Sequence, residues 1–109
     1  MADATNLQLG SYSTSEQATR YKWIDGKTIY KKSVSFNNPT TDGTVAHGAS
    51  ISTPVHIEVF RGSEAIGVGF MHTATTGIFF RFDSTNITIR NIGGLSSQVC
   101  IATIYYTKP

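Results

Sequence analysis

YKWIDGKTIYKK, residues 21–32, places two Tyr, one Trp and four Lys around a single Asp-Gly step. Asp-Gly between alternating residues is a strong hairpin signal, because Gly accepts the positive φ of a tight two-residue turn. With Asp25-Gly26 as that turn, Ile24 faces Lys27, Trp23 faces Thr28, Lys22 faces Ile29 and Tyr21 faces Tyr30. One surface then carries Tyr21, Trp23, Thr28 and Tyr30. The other carries Arg20, Lys22, Ile24, Lys27, Ile29 and Lys31. The simplest reading puts the aromatic face in a core and the basic face in water. The competing reading is a basic, aromatic surface that grips a ligand. Lys32 shares a face with Tyr30, Val34 and Phe36, so it is expected at a bulge or with its stem laid along apolar surface.

Outward from this hairpin the same period of two continues. Apolar residues alternate or cluster in short runs between Gly, Asn, Asp, Ser and Pro, and no amphipathic helix stands out. Strands are expected near 7–12, 19–24, 27–36, 51–61, 65–73, 77–83, 86–92 and 98–107. About eight short, evenly spaced strands predict an all-β fold, an antiparallel β-sandwich of jelly-roll type. Asn38-Pro39 and Asp42-Gly43 mark residues 37–48 as the longest loop, and Gly93-Gly94 marks a further turn. Residues 1–18, rich in Ser, Thr, Ala, Asn and Gln, read as a polar N-terminal arm or tether. Residues 19–109 read as the sandwich domain.

Composition agrees with this class. The chain has 109 residues, enough for one domain with a modest core. Only 15% are charged, while Thr, Ser, Gly, Ile and Val abound. A net charge of +2 is too small to imply nucleic-acid binding. The charge is uneven, however. Residues 20–32 hold Arg20, Lys22, Lys27, Lys31 and Lys32 against Asp25 alone, a local +4. Cys100 is the sole cysteine, which rules out an internal disulfide and suits a reducing cytoplasm. Lying in an apolar strand, it is expected to be a reduced thiol without catalytic duty. MADATNLQLG has neither a basic start nor an apolar run, so no signal peptide is expected. No segment reaches membrane-spanning length, so no membrane insertion is expected.

Within 22–108, four short stretches occur in a particular order: WIDGKTIYKK, then TVAHG at 44–48, NITIR at 86–90 and IATIYYTKP at 101–109. Together they resemble the small C-terminal modules of phage tail-fibre and related virion proteins. The chain departs from that pattern in having Thr28 where Pro is usual. NIGGLSSQ also lacks an Asp-Arg pair often found in the last loop, so no role of that pair carries over to this chain. The resemblance implies a non-enzymatic virion module, assembled in the host cytoplasm. It implies a homotrimer that binds a host-surface glycan and contacts other virion proteins. A capsid-decorating or tail-completion protein with no host ligand is the alternative. The chain would be either a free-standing accessory protein or an excised domain of a longer fibre.

Catalytic constellations are weak. His47, His56 and His72 form no close ligand pair, so no metal or cofactor is expected. His56 and Glu58 share a strand face and offer acid-base chemistry, but a solvated face explains them more simply. GVGF, residues 67–70, lacks the Lys and helix of a phosphate loop. Gly67 and Gly69 on one strand face suggest close approach by another backbone or subunit. With Phe70 and Met71 they are the candidate oligomer contacts. A glycan-degrading enzyme would need a carboxylate pair in a cleft, and none is evident. Candidate ligand contacts are Asp42, Arg61 and Arg90, polar residues beside turns. The competing role for Arg61 and Arg90 is to hold loops through hydrogen bonds.

Overall fold

The period-two alternation becomes two antiparallel sheets in the computed structural model, which describes residues 15–109. Among the described residues there are nine strands and no helix. They are β1 (Gln17–Lys22), β2 (Thr28–Asn37), β3 (Gly43–Ala46), β4 (Thr53–Arg61), β5 (Glu64–Gly67), β6 (Gly69–Met71), β7 (Gly77–Phe82), β8 (Asn86–Ile92) and β9 (Val99–Thr107). One sheet has the order β1-β2-β9-β4-β5, the other β3-β8-β7-β6. The chain is an all-β antiparallel sandwich, as the alternation predicts. The strand expected at 7–12 lies outside the described residues. So does the polar arm, apart from residues 15–18, of which Gln17 and Ala18 already belong to β1.

β9 is the spine of the larger sheet, paired to β2 on one side and β4 on the other. Cys100, Ala102, Ile104 and Tyr106 alternate along it and are fully buried. They meet Ile57 and Val59 of β4, and Ile78, Phe80, Ile87 and Ile89 from the facing sheet. Each large side chain so buried contributes about 1.5–3 kcal/mol against solvent exposure. On the outer face of the same sheet β2 turns polar, with Lys31, Ser33 and Ser35 opposite Tyr105, Thr103 and Ile101 of β9. Ser33 and Thr103 stand directly opposite each other and share a 2.8 Å hydroxyl hydrogen bond.

The opening hairpin differs from the expected one. Gly26 donates to Trp23 O at 2.9 Å, and Trp23 N donates to Lys27 O at 2.9 Å. The loop therefore has three residues, Ile24, Asp25 and Gly26, with Gly26 at φ +86°. Asp25 Oδ1 accepts from Lys27 N at 2.9 Å and braces the loop. Lys22 consequently pairs with Thr28 rather than Ile29. The next pair is Ala18 with Tyr30, so β1 carries two extra residues in a bulge. The bulge breaks the clean separation of faces. Tyr21 is 63% exposed and lies under the Arg20 guanidinium at 5.7 Å, while Tyr30 packs against the core.

Two further expectations are corrected. The long loop contains β3, which the turn residues on both sides conceal. The single strand expected over 65–73 breaks at Val68 into β5 and β6. β5 is an edge of one sheet and β6 an edge of the other, so Gly67-Val68-Gly69 carries the chain between layers. Val68 O accepts from Phe80 N at 2.8 Å and fixes the crossing. A Cβ on Gly69 would lie 2.4 Å from Ile78 O, so only glycine permits this approach.

Candidate functional site

The turn Asp83–Asn86 joins β7 to β8, with Asp83 N donating to Asn86 O at 2.9 Å. Asp83 Oδ1 accepts from Thr85 N and Asn86 N, so the side chain braces the turn. These two bonds, Asn86 first, hold its carboxyl below the usual range. The turn sets the register: Phe82 opposite Ile87, Arg81 opposite Thr88, Phe79 opposite Arg90. Ile78, Phe80, Ile87 and Ile89 point into the core. Phe79, Arg81, Thr88 and Arg90 therefore project from the outer face. β3 adds Thr44 opposite Thr88.

These side chains line an open groove of about 790 Å³ across β3, β8 and β7. Asp42 stands at its rim. Its Oδ1 accepts from Asn91 N at 2.9 Å, which holds the carboxylate in place. Arg81 and Arg90 are exposed, and among the described residues no carboxylate pairs with either. The groove thus offers two cationic forks, one oriented carboxylate, two threonine hydroxyls and an aromatic ring. That set binds polar, hydroxyl-rich or anionic groups.

Of the three residues expected from the sequence to contact a ligand, Asp42 and Arg90 meet in this groove. Arg61 does not line it. It is buried, and donates from Nε to Asn38 Oδ1 at 3.0 Å and from Nη2 to Ser96 O at 2.6 Å. Asn38 is fully buried and also accepts from Gln98 N at 3.1 Å. Asn91 binds Pro39 O and both backbone groups of Leu95. Asn38, Arg61 and Asn91 together tie down the loops that border the groove at Asp42. Sequence reasoning missed Phe79, Arg81, Thr44 and Thr88. The signal was the Asp83–Asn86 turn, which places Arg81 and Arg90 on one face once its register is known.

The other candidates are dispersed. Phe70 packs inward against the core, and Gly69 is covered by Ile78 and Phe79 of the same chain. Gly67 and Met71 are exposed. Glu58 Oε1 accepts from Tyr105 Oη at 3.2 Å, and Glu58 Oε2 lies 3.8 Å from His56 Nε2. This trio sits on the open outer face of the larger sheet, where burial and Glu58 raise the Tyr105 hydroxyl above its ordinary pKa. His47 is buried. Its Nδ1 accepts from Ala49 N at 3.1 Å, and its Nε2 donates to Asp83 O at 2.8 Å. That is a loop brace. Among the described residues no three His, Cys, Asp or Glu side chains gather as metal ligands would. Comparison with protein-family models, with curated proteins and with solved structures gives no match.

Proposed function

We propose that the chain is a non-enzymatic binding module of a phage virion, a fibre tip or fibre-associated domain. It assembles as a homotrimer and holds a host-surface glycan in the groove between β3, β8 and β7. The order of WIDGKTIYKK, TVAHG, NITIR and IATIYYTKP supports the virion setting. The observation that carries the binding role is the groove itself. It is a groove of about 790 Å³ with hydroxyls, a ring and two guanidinium groups that no carboxylate pairs among the described residues. Strands rather than loops place these groups, so little backbone freedom is lost when a ligand binds. A shallow open site binds weakly. Three copies on one fibre raise the effective affinity by avidity.

The test is attachment of the purified, fluorescently labelled protein to a panel of whole bacterial cells, before and after periodate oxidation of surface sugars. The expected result is a trimer by light scattering that coats at least one strain and is lost after periodate. A monomer at micromolar concentration removes the fibre reading. A trimer that coats no cells and binds no surface glycan favours docking onto the virion, as in a capsid-decorating protein.

A further inference from the structure

We infer that the groove is specific for a carboxylate-bearing sugar residue, clamped by Arg81 and Arg90 together. This rests on the reading of the groove as a glycan site. Arg81 faces Thr88 and Arg90 faces Phe79, two positions along the same strands. The two arginines are thus diagonal neighbours, about 7–8 Å apart at their bases. Arginine side chains are long enough for two guanidinium forks on bases so spaced to reach one point above the sheet. Each fork matches the planar, two-oxygen edge of a carboxylate. Three other cations of the chain are engaged locally: Lys108 by Glu16, Lys22 by Thr28, and Arg61 by Asn38 and Ser96. Arg81 and Arg90 have no such partner among the described residues.

Asp42 sharpens the choice of anion. With Arg81 and Arg90 it leaves the groove a local charge of +1, matched by one carboxylate. A doubly charged phosphate or a densely sulfated chain would press extra negative charge on a fixed carboxylate, which discriminates against it. Asp42 Oδ1 is occupied by Asn91 N, and Oδ2 remains to accept from a sugar hydroxyl. Thr44 and Thr88 can donate or accept on the other side. The Phe79 ring lies over Gly69, with Cδ1 2.6 Å from where a Cβ would stand. Glycine there keeps the ring close to the sheet as an apolar floor beside the cations.

The experiment is calorimetric titration with three carboxylated oligosaccharides: tetragalacturonate, a hyaluronan tetrasaccharide and an α2,8-linked sialic acid trimer. The fully methyl-esterified tetragalacturonate, dextran sulfate and a single-stranded oligonucleotide are run alongside. At least one carboxylated probe is expected to bind, with Arg81→Gln and Arg90→Gln each weakening it by about tenfold or more. The ester is expected not to bind. Lys22→Gln and Lys31→Gln on the basic hairpin should leave affinity within about twofold. Both arginines are exposed, so melting temperatures should match the parent and separate lost binding from lost fold. The inference is overturned if no carboxylated probe binds at millimolar concentration. Equal binding of the ester, preference for dextran sulfate or the oligonucleotide, or loss that follows the hairpin lysines overturns it too. If cells are still coated through a neutral glycan, the binding role stands and only the acid specificity falls. If neither cells nor any glycan is bound, both fall.

Discussion

Tyr106 and Glu16 stand 90 positions apart in the chain, yet the Tyr106 hydroxyl donates to Glu16 Oε1 at 2.6 Å. Lys108 donates to the other oxygen, Oε2, at 2.7 Å. The Lys108 ammonium lies 4.9 Å from the centre of the Tyr30 ring, and Tyr30 stacks on Tyr106 at 6.4 Å. The cluster fastens the chain just before β1 to the end of β9. Burial, then the bond to Glu16, pushes the Tyr106 hydroxyl far above its ordinary pKa. It therefore stays a donor throughout the physiological range.

Lys108, then Tyr106, hold the Glu16 carboxyl below its ordinary value of 4.5. A depressed carboxyl contributes stability above the unfolded-state pKa, and the contribution is lost as pH falls through the folded one. Glu16→Gln should lower stability near neutral pH by about 0.5–1 kcal/mol, a modest figure because the pair is partly solvated. The gap between parent and variant should be smaller at an acid pH below the ordinary carboxylate range than at neutral pH. Urea midpoints at the two pH values check this, and a gap independent of pH would refute the assignment.

Gly26 and Gly69 should fail for different reasons. Gly26→Val places a β-branched residue at φ +86°, with nothing within 4 Å of the new Cβ. The cost is backbone strain alone, about 1 kcal/mol or slightly more. Gly69→Ala adds a collision with Ile78 O at 2.4 Å and with the Phe79 ring to a φ of +151°. It should cost on the order of 3 kcal/mol and disturb the floor of the groove. Chemical unfolding of both variants ranks them, and a Gly26→Val loss equal to that of Gly69→Ala would contradict the distinction.

Asn38→Ala should be among the most damaging single changes. It strips the acceptor from Arg61 Nε and Gln98 N, and the donor from Pro39 O and Ser96 O, in a fully buried place. Orphaned buried groups cost about 1–3 kcal/mol each, with a larger penalty for a charged one. A loss of about 3 kcal/mol or more is expected, read as a lowered thermal midpoint. A change below about 1 kcal/mol would show that water replaces the amide.

Cys100 is fully buried, and burial pushes its thiol pKa up. A thiol reagent should therefore modify it only as fast as the fold opens. Modification within seconds in the native state would contradict its place beneath Asn38.

Strand faces are legible in the sequence because the side-chain period of two is a property of each strand alone. In VCIATIYYT of β9 the period of two separates Cys100, Ala102, Ile104 and Tyr106 from Val99, Ile101, Thr103 and Tyr105; both sets are largely apolar, and it is the facing sheet that buries the first. The turn at Asp25-Gly26 is likewise legible from two adjacent residues. Its length is not, because the same two residues suit a loop of two or three residues, and the pairing of Trp23 with Lys27 settles it. Asn38 reads as a turn residue, and Arg61 as a residue beside a turn open to a ligand. Their burial together depends on β4, β9 and two loops meeting around them. Of the groove's two arginines, only Arg90 stands out in the sequence. The β7–β8 register alone makes it a diagonal neighbour of Arg81 in one groove. A one-residue slip at the Asp83–Asn86 turn would turn one arginine inward relative to the other. Alternation is local and so is written in the sequence. The pairing of strands, and the gathering of side chains that follows from it, is decided by contacts between residues far apart in the chain.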